Sequence, residues 1–200
     1  MTIGTGALPA VILAGGQSRR MGGGDKGLLP LGAGTVIGQV IARMAPQVGR
    51  MAINANGDAV RFAACGLPVL PDSLPGFPGP LAGVLAALDW AIFQRADWVV
   101  TVPSDTPFLP ADLVARLVMA VQGGAPIAIA ATGDRMHPTC GLWCVALRDD
   151  LAAALDRDAR KVRDFTDRHG AEIARFADGP PDPFFNINTP ADLAQAQGWL

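Results

Sequence analysis

The chain of 200 residues contains no tyrosine, two histidines and three cysteines, and 17% of its side chains are charged. A soluble domain usually carries roughly 25% charged residues. With half of the composition apolar, so little charge excludes a disordered chain or a nucleic-acid coat. Sixteen basic residues against eighteen acidic ones leave a formal charge of −2. This balance disfavours non-specific DNA binding, and any phosphate affinity must come from locally placed cations and backbone N–H groups. Every apolar run falls short of the ~18 residues that would span a bilayer, and no basic segment precedes the N-terminal apolar stretch. A soluble, cytoplasmic protein is expected. Cys65, Cys140 and Cys144 cannot all pair, and their spacing fits neither a secreted disulfide framework nor a zinc site. Buried thiols in a reducing compartment are expected instead, with Cys140 and Cys144 on one strand. Of the two histidines, His169 lies in Arg168-His169-Gly170 and reads as a surface residue. The missing tyrosine carries no functional reading.

Glycine (24) and proline (17) are abundant and spread along the chain, which indicates dense loop chemistry on a regular scaffold. The length suits one domain, residues 1–200. Ala10–Ala14 reads as a strand buried on both faces and ends at Gly15-Gly16. Val36, Ile37, Val40, Ile41 and Met44 recur at helical spacing behind Thr35 as N-cap. Strands are predicted at Met51–Asn54, Pro68–Leu70, Trp98–Val102, Ile127–Ala131 and Leu142–Leu147. Helices are predicted over Leu81–Ile92, over Leu113–Val121, through Asp149–His169 and from Thr189-Pro190 to the C-terminus. Thr132–Thr139 reads as a polar loop. Strands alternating with helices argue for an α/β layered domain with a mostly parallel sheet, whose ligands sit beyond the carboxyl ends of the strands. Four proposed strands run into Gly15-Gly16, Asn54-Ala55-Asn56, Asp72-Ser73 and Ser104-Asp105.

The densest chemical signal is Leu13-Ala14-Gly15-Gly16-Gln17-Ser18-Arg19-Arg20-Met21-Gly22-Gly23-Gly24-Asp25-Lys26. Successive glycines let backbone N–H groups converge on a phosphate chain, and Arg20 and Lys26 add fixed positive charge. Gly22 to Gly27 formally satisfies G-x-G-x-x-G, but it does not directly follow a strand, and Leu28-Leu29-Pro30 comes next instead of a helix. The G-x-x-x-x-G-K-[ST] pattern also fails, because Asp25 precedes Lys26 and Gly27 follows it. Asp105, in Pro103-Ser104-Asp105-Thr106-Pro107 after an apolar strand, suits Mg²⁺ shared with ligand phosphates, since that ion keeps several waters and rarely has an all-protein cage. Each of these residues also has a bland reading, a glycine-rich turn or a turn-forming Asp.

The Leu13-to-Gly22 pattern, followed by Asp25-Lys26 and Leu28-Leu29, resembles the signature of the molybdenum cofactor guanylyltransferases of the MobA family. Asn54-Ala55-Asn56, Asp72-Ser73, Gly79-Pro80-Leu81-Ala82-Gly83, Ser104-Asp105-Thr106-Pro107, His137-Pro138-Thr139 and Asn186-Ile187-Asn188-Thr189-Pro190 recur in that family's order, so the resemblance covers nearly the whole chain. It implies a three-layer α/β/α Rossmann-like nucleotidyltransferase fold. The implied reaction transfers GMP from GTP to Mo-molybdopterin, releasing pyrophosphate and giving the guanine dinucleotide cofactor. The N-terminal part would bind GTP and the C-terminal part molybdopterin. By the same resemblance Leu13, Ala14, Gly15 and Gly16 would line the nucleotide, Arg20 and Lys26 would hold phosphates, Asn54 and Asp72 would serve the nucleoside, and Asp105 would carry Mg²⁺. His137, Asn186 and Asn188 would meet the pterin substrate, with Arg157, Arg160 and Lys161 as further candidates on a helix that otherwise reads as a solvated face. Handover of the product to apo-molybdoenzymes and accessory factors is also implied.

The chemistry agrees with the residues available. A phosphate monoester has its second pKa near ~6, so it is mostly dianionic at neutral pH and attacks a nucleotide α-phosphorus without a general base. The reaction needs positioning and charge neutralisation, the tasks of Lys, Arg and Mg²⁺. The related cytidylyltransferases usually read Leu-Ala-Ala-Gly in the loop and lack the Asp before the Lys. Gly15 and Asp25 therefore point to guanine, the lost methyl making room for a purine. A non-catalytic cofactor carrier is the other alternative, and the presence of Lys26 and Asp105 argues against it.

Overall fold

The computed structural model describes residues 4, 8–15, 25–74, 79–159 and 161–200. Gly16, Arg20, Arg160 and the Gly22-to-Gly24 run lie outside the described residues. The first apolar run forms β1 (Pro9–Leu13), buried at every position. After it come the short strands β2 (Pro30–Leu31) and β3 (Gly34–Thr35), then α1 (Val36–Met44). Thr35 caps α1 as expected, its hydroxyl accepting the Gly38 N–H at 3.1 Å. Next along the chain are β4 (Arg50–Asn54), β5 (Val69–Leu70), α2 (Pro80–Phe93), β6 (Trp98–Pro103) and α3 (Leu113–Ala120). The remainder comprises β7 (Ile127–Thr132), β8 (Arg135–Cys144), α4 (Arg148–Asp156), α5 (Val162–Arg168), β9 (Glu172–Phe176) and α6 (Pro190–Gln197). Among the described residues no helix is long and apolar enough to cross a membrane.

Among the described residues seven strands make one sheet in the order β5-β4-β1-β6-β8-β7-β9, in which β8 alone runs against its neighbours. The chain leaves β1 toward β4 and β5 on one side and returns to β6 on the other. The point between β1 and β6 is therefore a topological switch, where open α/β sheets bind ligands. Alternate residues of each strand feed two cores. Ala10, Ile12, Ile53, Val100 and Val102 pack with α1 and α3. Val11, Leu13, Ala52 and Val99 pack with α2, α4 and α5. This is the expected three-layer α/β/α architecture. A third cluster joins Leu31, Val36 and Phe108 to Ile187 and Ala196, with Phe185 and Trp199 against it.

Several elements differ from the sequence expectation. Asp149–His169 is two helices, because Asp158 takes a left-handed conformation (φ 65°) and the chain closes α4 with N–H bonds from Asp158 to Leu155 (2.7 Å) and from Ala159 to Ala154 (3.0 Å). Such an αL residue is a common helix stop, usually Gly and here Asp. Thr132–Thr139 is largely strand: β7 and β8 meet through Gly133-Asp134, and the register jumps from Ile129↔Gly141 to Ala130↔His137. The irregularity holds Pro138, which has no N–H for the ladder. At its far end β8 gives way at Val145 to a 3₁₀ turn. The β2–β3 hairpin and β9 are too short or too polar to stand out in the sequence. Cys140 is buried, Cys144 half-buried, and all three cysteines are free thiols.

Candidate active site

Three strand ends lie level at the switch. Leu13 pairs in register with Asn54 of β4 and Pro103 of β6. The loops leave from that level, tied sideways by Ala14 N–H to the Asn54 carbonyl (2.9 Å) and Ser104 N–H to the Leu13 carbonyl (3.0 Å). Leu13 is buried, Ala14 half-buried and Gly15 exposed at the lip. Asn54 is 2% exposed. Its amide donates to the Leu70 carbonyl (3.2 Å) and to Asp72 Oδ1 (3.0 Å). Asp72 is held a second time by Asn56, which donates to Asp72 Oδ2 (2.7 Å) and accepts the Asp72 N–H (2.9 Å). Asn54 and Asp72 are thus brought together as expected, with Asn54 acting as the buried support of the Asp72 carboxylate.

On the other side of β1 the loop after β6 carries Asp105. Burial raises its pKa above the usual carboxylate value, opposed by the Lys26 ammonium, a backbone hydrogen bond and the Thr106 hydroxyl. Lys26 opens the 3₁₀ turn Lys26–Leu28. Its ammonium donates to Asn188 Oδ1 at 2.7 Å. The C-terminal segment docks on the same loop: Ile187 N–H bonds the Asp105 carbonyl (2.9 Å), and the Thr106 hydroxyl donates to Asn186 Oδ1. Asn188 is fixed in turn by the start of α6, where Asp192 Oδ2 accepts N–H bonds from Asn188 (2.9 Å) and Thr189 (2.8 Å), and Thr189 Oγ1 accepts the Asp192 N–H (3.2 Å). This reciprocal capping box places an amide oxygen on the cation. The same backbone bonds hold the Asp192 carboxyl below its ordinary value.

The chain matches, over residues 10–173, the family described as the MobA-like NTP transferase domain. It belongs to this family. A relative from Rhodopseudomonas palustris strain BisB5, named molybdenum cofactor guanylyltransferase, is 51% identical over 195 residues, covering 96% of this chain and 93% of its own. The molybdopterin-guanine dinucleotide biosynthesis protein A of Archaeoglobus fulgidus has the same fold, with a TM-score of 0.76 at 23% identity over 96% of this chain and 97% of its own. Rv0371c of Mycobacterium tuberculosis, solved as a complex with manganese, superposes with a TM-score of 0.65 at 18% identity over 98% and 100% of the two chains.

Within this MobA-like NTP transferase, His137 lies farther along the same sheet edge. Its ring stacks on Phe184 (4.3 Å between centroids) and its Nε2 lies 2.9 Å from Thr132 Oγ1. Burial and the Arg135 charge push its pKa down to about 4, against the pull of Asp182 and Asp178. It is therefore a neutral, hydrogen-bonding ring at neutral pH. Arg157 ends α4 and Lys161 precedes α5. Among the described residues no hydrogen bond or ion pair joins either to the Lys26–Asp105–Asn188 group. Sequence reasoning missed Asn56 and Thr106 as participants, although both lie in the motifs it singled out. Asp192, readable from the sequence as an acid in the first turn of the last helix, also fixes Asn188, and nothing in the sequence signalled Arg61, whose guanidinium pairs with Asp25 beside Lys26.

Proposed function

We propose that this protein transfers GMP from GTP to Mo-molybdopterin, releasing pyrophosphate and forming the guanine dinucleotide cofactor. The observation that carries the reading is the Lys26–Asn188 hydrogen bond. It sets an ammonium at the junction between the β1–β4–β6 edge, suited to a nucleotide, and the C-terminal segment, suited to the second substrate. The name of the 51% identical relative supports the same reaction. On this reading residues 1–200 act as one domain, Leu13, Ala14, Gly15 and Gly16 line the nucleotide, and Asn54 holds Asp72 toward the nucleoside. His137, Asn186 and Asn188 face the pterin substrate, and Arg20 joins Lys26 on the phosphates.

A divalent cation, Mg²⁺ by preference, fits Asp105. Its carboxylate pays a desolvation cost that a cation would relieve. Among the described residues no group of three His, Cys, Asp or Glu forms a cage, so ligand phosphates and water would complete the shell. When bound, the cation supplies neutralisation of phosphate charge. Lys26 stabilises charge on the α-phosphoryl oxygens and the departing pyrophosphate, and its bond to Asn188 keeps it in place before substrate arrives. The attacking phosphate dianion needs no base. Neutral His137 therefore serves as a hydrogen-bond partner and takes no proton.

Gly15 supports guanine over cytosine. A Cβ there would sit 3.9 Å from Asn54 Oδ1, and its absence widens the lip for a purine. Calorimetry with GTP, CTP and ATP in the presence of Mg²⁺ tests the reading. Selective GTP binding, followed by pyrophosphate release once Mo-molybdopterin is added, is the expected result. A preference for CTP would make the protein a cytidylyltransferase, and binding without pyrophosphate release would make it a carrier that delivers cofactor to apo-molybdoenzymes.

A further inference from the structure

Lys26 follows an aspartate, and this neighbour is an electrostatic problem for a phosphate site. A carboxylate one residue away would pair with the ammonium or repel the incoming anion. Asp25 and Lys26 do not pair with each other. Asp25 stands in extended backbone ahead of the Lys26–Leu28 turn and makes no capping bond with its side chain. Its Oδ2 accepts instead from Arg61 Nε, and Lys26 turns to a neutral acceptor, Asn188. Arg61 reaches Asp25 from the 3₁₀ helix Ala59–Cys65. It is aimed by three contacts besides: Nη1 donates to the Asp58 carbonyl, Nη2 to the Asn56 carbonyl at 2.6 Å, and the guanidinium lies over the buried Phe62 ring, 4.8 Å from its centroid. The paired side chains are 28% and 18% exposed, sheltered enough to couple more strongly than a solvated surface pair.

We propose that Arg61 is a positioning residue for the phosphate site: by taking up the Asp25 carboxylate it keeps that neighbouring charge off Lys26, so that Asp25, Lys26 and Arg61 together present one net positive charge to the nucleotide. The same guanidinium anchors Asn56, the partner of Asp72, and so ties the phosphate side of the cleft to the nucleoside side. The proposal rests on the guanylyl-transfer reading for the identity of the nucleotide, but the charge argument holds for any phosphate chain bound at Lys26.

The test is a double-mutant cycle of Arg61→Gln and Asp25→Asn, read by calorimetry with GTP and, separately, with inorganic pyrophosphate, both with Mg²⁺. Arg61→Gln should weaken binding of both ligands about tenfold, within the range of couplings between contacting residues. Adding Asp25→Asn should restore binding to within about threefold of wild type, because the carboxylate that Arg61 masks is gone. Arg61→Lys, which keeps the charge and guards against a folding failure of the glutamine variant, should also stay within about threefold. Loss in the single variant without rescue in the double, or an Arg61→Lys variant as weak as Arg61→Gln, would overturn the proposal and leave Arg61 a loop anchor. Wild-type protein that binds pyrophosphate with this pattern but does not bind GTP would overturn the guanylyl reading and uphold the role of Arg61.

Discussion

The cleft separates side chains that stabilise the protein from side chains that serve a ligand at the fold's expense. Lys26 is half-buried at the lip and bonded to one neutral oxygen. Lys26→Ala should therefore lower kcat by about 10² to 10³, the usual cost of losing one charge-stabilising donor, while leaving the melting temperature within a few degrees of wild type. Steady-state pyrophosphate release and thermal unfolding check the two halves of that statement. Asp105 behaves in the opposite way toward stability. Its folded pKa is raised by desolvation, so its contribution is most favourable below the unfolded carboxylate pKa and is lost as pH rises through the folded value. At neutral pH the ionised group is a liability. Asp105→Asn should raise the melting temperature of the free protein at pH 7, by ~2–4 °C for each ~1 kcal/mol gained in a chain of this size, while abolishing turnover. A lower melting temperature would mean that the Lys26 attraction outweighs burial. At this scale the sequence was informative wherever a residue sits in a strand-to-loop motif. Lys26, Asp105, Asn54, Asp72, Asn186 and Asn188 all lie at one sheet edge, and neighbours of these motifs in the chain, Asn56 and Thr106, proved to be their hydrogen-bond partners. Arg61 was invisible because it acts from a short 3₁₀ segment across 36 positions, where nothing in composition or periodicity marks an arginine that is half-buried against its partners.

Among the elements, α2 sets the position of the nucleoside side. Its residues Leu81 to Leu88 are buried almost without interruption, and at Gly83 the helix backbone comes so close to β4 that a Cβ would lie 2.5 Å from Asn54 Oδ1 and 3.0 Å from Leu13 Cδ2. Gly83→Ala should displace the Asn54 amide and, through its bond, Asp72. Overpacking of this kind costs about 1–3 kcal/mol, and the KM for GTP should rise together with the fall in melting temperature. A normal KM in a destabilised variant would show that Asn54 does not govern Asp72. Element existence was legible for α1, α2, α3 and the buried strands, whose apolar spacing is regular. Boundaries failed where backbone conformation, not hydrophobicity, decides: at Asp158, whose left-handed φ splits α4 from α5, and at Pro138, whose missing N–H breaks the alternation of β8.

In the whole molecule, the site is assembled from distant parts of the chain: Lys26 and Asn188 are 162 positions apart. The fold class followed from the alternation of strands and helices, but strand order did not, because β8 is inserted antiparallel between β6 and β7 and no local feature announces it. The docking of the C-terminal segment onto the Asp105 loop was equally beyond local reading, being a matter of Ile187, Ala196 and Trp199 filling the third core. The connection makes the two substrate sides interdependent. Asn188→Ala, on the side assigned to the pterin substrate, should also weaken GTP binding, by about tenfold if the amide pre-positions Lys26. Unchanged GTP affinity by calorimetry would confine Asn188 to the second substrate.

The third core also equips the protein with a spectroscopic reporter. Because the chain has no tyrosine, its near-ultraviolet emission is that of four tryptophans. Trp143 is buried and donates to Thr101 Oγ1 at 2.8 Å. Trp199 stands edge-on to Phe108 (5.4 Å) and Phe185 (4.9 Å), the residues three beyond Asp105 and one before Asn186. Any displacement of either loop by a bound ligand changes the surroundings of that indole, so occupancy of the cleft can be followed by the fluorescence of the native chain without a label.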